Sequence, residues 1–567
     1  MGSAGRCPPI IFYIKHTDYV VPDPDGETFL DLDAAREEAG EALRGLVPSA
    51  ILSNQAELPQ GRPIMQADAA SVRDGASLSE GGSTSRKNQI QPRKPQAWRE
   101  RAHYTLFRRR PHMSNFTRAL HAGDIAFHLH SYTNARAHEE AGPLAIERGE
   151  GVFVYDTDGR RYIEAMAGLW SVALGFDEPR LVEAAIEQMR KLPFYHTFTH
   201  KTHQPAIELA EKLISLAPVP MSKVHFTNSG SEANDTVVKM VRYYNNARDL
   251  PRKKKIISRI GAYHGVTVAA ASLTGLPNNH RAFDLPLPNI LHTLCPHYYR
   301  FAEAGETETA FIDRLAREFE ALIEREGPDT VAAFIGEPVM AAGGVIVPPT
   351  GYWSRIQEIC RRYDILLVAD EVVCGFGRTG SMFGCTTFGI EPDIMVLSKQ
   401  LSSSYQPLAA VLINDKVYQQ VASQSAAIGT FGHGFTASGH PVATAVALEN
   451  IRLIEERGLV ENAKRMGKRL LSGLSRYADH SLVGEIRGIG FIAAVELVAD
   501  KSTKARFDPA GRVGAYFNAC CQSHGMIVRN IGDSIAFCPP LIAKEGHVDQ
   551  ILDCFSKALE DTDRWTR

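Results

Sequence analysis

Apolar positions along most of the chain follow two alternating patterns. Short continuous runs (VHFTNS, KIISRI, VAAFIGEP, ILLVADE, IMVLSK and AAVLIN) have the length and branching of strands buried on both faces. Between them lie stretches with helical spacing, such as PAIELAEKLISL, where Ile207, Leu209, Ala210, Leu213, Ile214 and Leu216 are expected on one face. Strands alternating with helices predict an α/β architecture, a largely parallel sheet with helices on both sides. After about residue 430 the pattern changes. A long helical stretch, HPVATAVALENIRLIEERG, leads to short strands (RGIGFIAAVEL, MIVRNIGDSIAF) and a closing helix, which predicts a separate α+β segment.

The first part of the chain has a different texture. Residues 1–47 predict a small module, with strands at IIFYIK and YVV and a helix opening at Asp33. Residues 48–112 predict a flexible linker centred on SLSEGGSTS. Its last third, Arg86 to Arg110, carries nine Lys or Arg against one Glu, interleaved with Trp98, Tyr104 and Phe107. A solvated basic tether accounts for this run better than a nucleic-acid contact. The remainder divides into 113–167, the first part of a smaller domain, 168–430, a large domain, and 431–567, the rest of the smaller one.

Charge and composition exclude some functions. The 567 residues carry 62 basic and 65 acidic side chains, a balance that gives no electrostatic argument for a nucleic-acid partner. Nine cysteines are scattered without a C-x-x-C pair or a Cys/His spacing like that of a zinc site, so no metal is expected. Cys520 and Cys521 are adjacent, which suits reduced buried thiols. No apolar run approaches the roughly 18 residues of a membrane span. The start MGSAGRCPPIIFYIK lacks a basic signal-peptide region, and Arg6 disfavours myristoylation, so a cytoplasmic protein without membrane contact is expected.

Ligands of open α/β sheets sit at the carboxyl ends of the strands, so the residues that follow each predicted strand are the informative ones. After VHFTNS come Ser229-Gly230-Ser231 and a helix start, a ready phosphate cradle, although an ordinary serine cap reads the same way. After KIISRI comes Tyr263-His264 between glycines, an aromatic that can stack on a planar ring or simply pack. After VAAFIG comes Glu337. After ILLVA comes Asp370, a carboxylate that is costly to bury unless it faces a cation. After IMVLS comes Lys399. One ligand asks for all of these: a phosphorylated pyridine aldehyde with a protonated ring nitrogen, pyridoxal 5'-phosphate.

These residues, with GEGVFVYDTDGRRYIEAMAGLWSVALGF, LPFYHTF, TNSGSEAND, GEPVMAAGGVIVPP, LLVADEVVCGFGRTG, GHGFTASGHP and MIVRNIGDSIAFCPPL, resemble the class III, fold-type I pyridoxal-phosphate aminotransferases. The resemblance runs over roughly residues 125 to 560 and points within that class to ω-transaminases that use pyruvate. It implies a large domain with a mostly parallel seven-stranded type of sheet and a smaller α+β domain from the chain ends. It implies Lys399 as the Schiff-base lysine and proton carrier, and Asp370 as partner of the pyridine nitrogen. Ser229, Gly230, Ser231, Tyr263, His264, Glu337 and Val372 complete the implied cofactor site. Phe435 and Thr436 would reach the phosphate in a neighbouring subunit, so a homodimer or a dimer of dimers is implied. Trp170 and Tyr195 would line the substrate pocket, and Arg529 would meet a substrate carboxylate.

Some residues depart from the family pattern. Gln400 stands where glycine usually follows the lysine, and glycine is usual at Ser403 or Ser404. Ala437 stands where tyrosine is common. Arg378 in GFGRTG reads as a surface or interface arginine, with a substrate contact as the other option. The expected reaction moves an amino group from a primary amine or ω-amino acid to a keto acid, pyruvate first, in ping-pong order. Alternatives are a 2-oxoglutarate-dependent γ-aminobutyrate or ornithine type of aminotransferase, an aminomutase, or a non-catalytic cofactor-binding regulator.

Overall fold

The expected strand–helix alternation takes the form of a central sheet of seven strands in a computed structural model that describes residues 114–567. The proposed module at 1–47 and linker at 48–112 lie outside the described residues. The central strands are β4 (Lys223–Thr227), β5 (Lys255–Arg259), β6 (Ile290–Thr293), β7 (Val331–Gly336), β8 (Leu366–Asp370), β9 (Ile394–Leu397) and β10 (Ala409–Ile413). Their order across the sheet is β4-β10-β9-β8-β7-β5-β6. The pairs β5/β6, β5/β7, β7/β8 and β8/β9 are parallel, whereas β10 runs antiparallel to both of its neighbours.

Continuous apolar runs work here because both sheet faces are covered. Phe334, Leu367, Met395 and Leu412 point to one face, against Phe311, Phe319 and Ile356 from the helices Glu308–Glu326 and Tyr352–Arg362. Their immediate successors or predecessors Ile335, Val368, Val396 and Val411 point to the other, against Val237 and Val241 of the helix Gly230–Ala247. The two-residue period of a strand makes this division automatic. Each large aliphatic or aromatic side chain so buried contributes about 1.5–3 kcal/mol.

Two smaller sheets flank this core. β1 (Ile146–Glu150), β2 (Phe153–Asp156) and β3 (Arg161–Glu164) are joined by β13 (Met526–Ile527), which pairs in parallel with β3, so distant parts of the chain share one sheet. The order of the other sheet is β11-β12-β15-β14, formed by β11 (Val483–Ile489), β12 (Ile492–Leu497), β14 (Arg529–Ile531) and β15 (Ser534–Phe537). The helix Gln204–Leu216 departs from expectation at one position: its buried face is Pro205, Ala206, Leu209 and Leu213, and Ile207 is exposed. Two residues advance a helix by about 200°, which turns Ile207 away from Leu209. Among the described residues no helix is long and apolar enough to cross a membrane, and the eight cysteines from Cys295 to Cys554 are buried free thiols.

Candidate active site

Ser229 ends the β4 connection in an extended conformation, and its hydroxyl accepts the Glu232 amide at 3.2 Å, capping the helix that begins at Gly230. The first-turn amides of that helix point outward with no helical acceptor, which favours an anion there. The neighbourhood is tight. A Cβ on Gly230 would stand 3.2 Å from Val372 Cγ2 and 3.8 Å from Ser398 Cβ. Thus the serine-glycine turn, Val372 two residues past the β8 carboxylate and Ser398 before Lys399 meet at one place. Gly265 closes the cradle from the Tyr263 loop. Its φ is +135°, and a Cβ there would lie 2.6 Å from Ser231 Oγ, so only glycine fits. Ser231 Oγ accepts the Val266 amide at 3.1 Å.

Asp370 closes β8 and is 3% exposed. Its Oδ2 lies 2.7 Å from His264 Nδ1 and accepts Asn234 Nδ2 at 2.9 Å, and its Oδ1 accepts the Val372 amide at 3.1 Å. The buried carboxylate is therefore aimed by a histidine and an asparagine. Asn234 also donates to the His264 carbonyl at 2.7 Å, which locks the pair together. Sequence reasoning passed over Asn234. The available signal is a polar residue on the apolar face of an amphipathic helix, between buried Ala233 and Val237.

Lys399 follows β9 with a φ of +47°, a left-handed conformation unusual for lysine. Among the described residues no hydrogen bond or ion pair engages its amine. Burial lowers its pKa, while the Asp370 and Glu337 charges pull it back up. Glu337, at the end of β7, accepts the Tyr263 amide on one oxygen at 3.0 Å and the Ala341 amide on the other at 3.1 Å. It positions the Tyr263 loop through the backbone. The half-buried Tyr263 ring lies edge-on to Tyr132 at 6.5 Å, and burial together with that neighbour raises its phenol pKa.

The remaining expected residues are spread more widely. Arg529 opens β14, and among the described residues its side chain has no hydrogen bond or ion pair. Its charge acts on both Lys399 and Tyr263. Trp170 is 2% exposed and packs with Met166, Val339, Val373 and Cys374, a core placement rather than an open pocket wall. Tyr195 is 40% exposed and stacks on His196. Phe435 and Thr436 lie on a loop whose His433 contacts Thr236 and Lys239 at 2.8 Å. Neither makes a hydrogen bond with Asp370 or Lys399 of the same chain.

Arg378 is not at the surface. It is fully buried, and its guanidinium donates to the Phe491 carbonyl at 2.9 Å, the Pro539 carbonyl at 2.6 Å and Gln400 Oε1 at 3.2 Å. Burying a fork of five donors is tolerable because carbonyls from two later segments accept from it. The same network accommodates the departure after the lysine, since Gln400 Nε2 donates to the Gly375 carbonyl at 2.9 Å. Ser403 and Ser404 have φ of +49° and +58°, the conformation that favours the glycine usual there. Ser403 is held in it by Asn450 Oδ1 at 2.6 Å and by the Ala173 amide at 3.1 Å.

Within this geometry an anion fits at Ser229–Ser231, an aromatic face at Tyr263, a cationic ring nitrogen at Asp370, and a carbonyl at Lys399. That donor set suits a phosphorylated pyridine aldehyde. Comparison with known proteins agrees with it. The family model "aminotransferase class-III" matches residues 134–559. Gamma aminobutyrate transaminase 1, mitochondrial, of Solanum lycopersicum is 51% identical over 426 residues, covering 75% of this chain and 83% of that protein. Vanillin aminotransferase of Capsicum chinense is 49% identical over 423 residues, covering 74% and 92%. Among solved structures, the omega transaminase from Pseudomonas jessenii in complex with PMP is 65% identical, with a TM-score of 0.78 over 79% of this chain and 98% of that one. A thermostable omega transaminase variant engineered for synthesis of enantiopure bulky amines is 64% identical, with a TM-score of 0.79 over 79% and 100%.

Proposed function

The chain belongs to the class-III aminotransferases, and we propose that within this family it takes the amino group of an ω-amino acid or primary amine, 4-aminobutyrate first, and passes it to pyruvate. Pyridoxal 5'-phosphate, the cofactor of the family, supplies the carbonyl that receives the amino group and a protonated ring that withdraws electrons. Ser229, Gly230 and Ser231 would hold its phosphate, Tyr263 and Val372 its ring, and Asp370 its nitrogen. Lys399 would carry the proton away from the donor carbon that bears nitrogen and return it in the second half-reaction, a role suited to an amine of lowered pKa.

The observation that carries the specificity proposal is Arg529, a guanidinium without a partner among the described residues, close enough to act on Lys399 and Tyr263. One guanidinium matches the one carboxylate of pyruvate bidentately. The names of the curated relatives move 4-aminobutyrate ahead of simple amines as donor, a substrate that the sequence reading held under its alternative. The engineered relative is altered at a tryptophan, a phenylalanine and an arginine whose spacing equals that of Trp170, Phe198 and Arg529. That supports Arg529 as a pocket residue and adds Phe198, while Trp170, buried among Met166, Val339, Val373 and Cys374, would act on the pocket from the core.

Arg529→Ala separates this reading from a structural role. The half-reaction with pyruvate is expected to slow about 100-fold, the loss of about 2–3 kcal/mol from a charge-assisted bidentate pair. The half-reaction with a carboxylate-free primary amine should change by less than about threefold. Equal losses in both would make Arg529 structural. Steady-state turnover of several donors against pyruvate and 2-oxoglutarate then ranks the substrates, and a preference for 2-oxoglutarate would overturn the acceptor.

A homodimer belongs to the same proposal. Phe194, Tyr195 and Phe198 are each 40–43% exposed beside the loop that carries Phe435 and Thr436, an apolar patch suited to a second copy. Cytoplasmic location is proposed as well. Reduced thiols suit it, and cell fractionation would distinguish it from the mitochondrial and chloroplastic sites in the names of several relatives. Residues 1–112 are expected to be dispensable for catalysis, because solved relatives align over essentially their whole length within 79% of this chain. A chain starting at Met113 should dimerise, bind cofactor and turn over within about twofold of the full chain. Loss of dimerisation or of cofactor binding would make the extension part of the enzyme.

A further inference from the structure

Three imidazoles converge on one carboxylate at the start of the described chain, and none of the four residues is among those assigned to the reaction. Asp124 lies in the last turn of the helix Asn115–Phe127. His130 Nε2 is 2.9 Å from both of its oxygens, His138 Nε2 is 2.8 Å from Oδ2, and His128 Nδ1 is 3.2 Å from Oδ1. The donor atoms of Asp124, His130 and His138 all lie within 4.8 Å of one another. Their side chains are 20%, 29% and 12% exposed, so the group is shielded from bulk water without being sealed, whereas His128 is 65% exposed. Among the described residues Asp124 has no Lys or Arg counter-charge.

Ring packing restricts what this cluster can be. The His128 and His130 centroids are 4.4 Å apart, and those of His130 and His138 are 4.1 Å apart. The close packing brings the imidazole nitrogens and one carboxylate into a single group. That is the nitrogen–oxygen donor set of a borderline divalent cation. Ligands about 2.0–2.2 Å from zinc in tetrahedral array lie about 3.3–3.6 Å from each other, so the His130 and His138 separations from the carboxylate, 2.9 and 2.8 Å, would open by about 0.4–0.8 Å. The spacing H-x-H followed by a histidine eight residues on, with the carboxylate upstream, matches no standard linear pattern, so sequence reading found no metal site.

We propose that Asp124, His130 and His138, with His128 as a fourth donor, form a site for a zinc-class divalent cation that braces the segment between the first two described helices. That segment carries Tyr132, whose hydroxyl accepts Asn279 Nδ2 at 2.6 Å and whose ring lies against Tyr263. A cation there ties both ends of the segment that covers the expected cofactor-stacking aromatic. The site is independent of the donor and acceptor assignment.

The test uses the full-length holoenzyme, treated with chelator and then titrated with Zn2+ by equilibrium dialysis, and with Co2+ as a spectroscopic probe. About one equivalent should bind per chain with a dissociation constant on the order of micromolar, and the melting temperature should rise with free Zn2+. The bound Co2+ should show the visible bands of a tetrahedral nitrogen–oxygen site. His130→Ala and His138→Gln should each weaken binding by at least about tenfold. Binding well below one equivalent to the wild-type protein overturns the proposal. So does stoichiometric binding unchanged in both variants, or a Co2+ spectrum of thiolate ligation. Because the wild-type stoichiometry and spectrum are decisive alone, a variant that fails to fold does not protect the proposal.

Discussion

Lys399→Ala is expected to abolish transamination, leaving less than about a percent of wild-type turnover with any donor. The amine follows β9 by two residues and lies within reach of the Asp370 and Glu337 charges. Lysine, serine and glutamine meet there in one buried turn, so no other amine can take its place without rebuilding the loop. Cofactor should still associate weakly through Ser229, Gly230 and Ser231, because the helix N-terminus and the Gly265 approach do not depend on the lysine side chain. The checks are initial rate with the best donor and the visible band of lysine-bound cofactor, which the variant should lack. More than about a percent of activity would sink the assignment, since it would mean that a factor of 100, about 2.7 kcal/mol, is all this amine supplies.

Asp370→Asn should have the next largest effect, slowing proton removal from the donor by about 1000-fold, or about 4 kcal/mol, with the fold intact. Asparagine preserves the volume and can keep the Val372 amide contact. It cannot hold a proton on a pyridine nitrogen, and it presents an amide where Asn234 and His264 now find an acceptor. The readouts are the single-turnover rate and the melting temperature. Wild-type-like turnover would pass the role to another carboxylate. Glu371 is poorly placed for it, because its two oxygens accept the Gly384 amide at 2.9 Å and the Cys385 amide at 2.5 Å while burial pushes its pKa up to about 7.

Much of the central site was legible in the linear sequence for a physical reason. A parallel sheet puts the carboxyl ends of its strands on one edge, so the residues after successive apolar runs become neighbours. Asp370, Lys399, Tyr263 and Ser229–Ser231 all follow strands, and the pairing of Asp370 with Val396 brings the first two strand ends together. Residues inside helices carried no such flag. Asn234 is one helical turn past the phosphate turn, and its role depends on contact with β8, which no local pattern records. Arg378 read as a surface residue because charge is rarely fully buried, yet the carbonyls of residues 491 and 539 and the Gln400 side chain accept from two of its nitrogens. Trp170, expected to line the pocket, is buried instead, because the backbone turn around it, with φ of +50° at Ala167 and +65° at Trp170, directs the indole inward. The histidines at 128, 130 and 138 needed a helix–segment–helix bend to meet, so spacing along the chain could not announce them.

The most direct test of the functional account is a pair of half-reactions on the full-length holoenzyme, followed by absorbance and product analysis. With 4-aminobutyrate and no acceptor, the visible band of the bound cofactor should fade as about one equivalent of aldehyde forms per site; pyruvate added afterwards should restore the band and release about one equivalent of alanine. A band indifferent to 4-aminobutyrate and to primary amines, or one restored by 2-oxoglutarate and not by pyruvate, would contradict it.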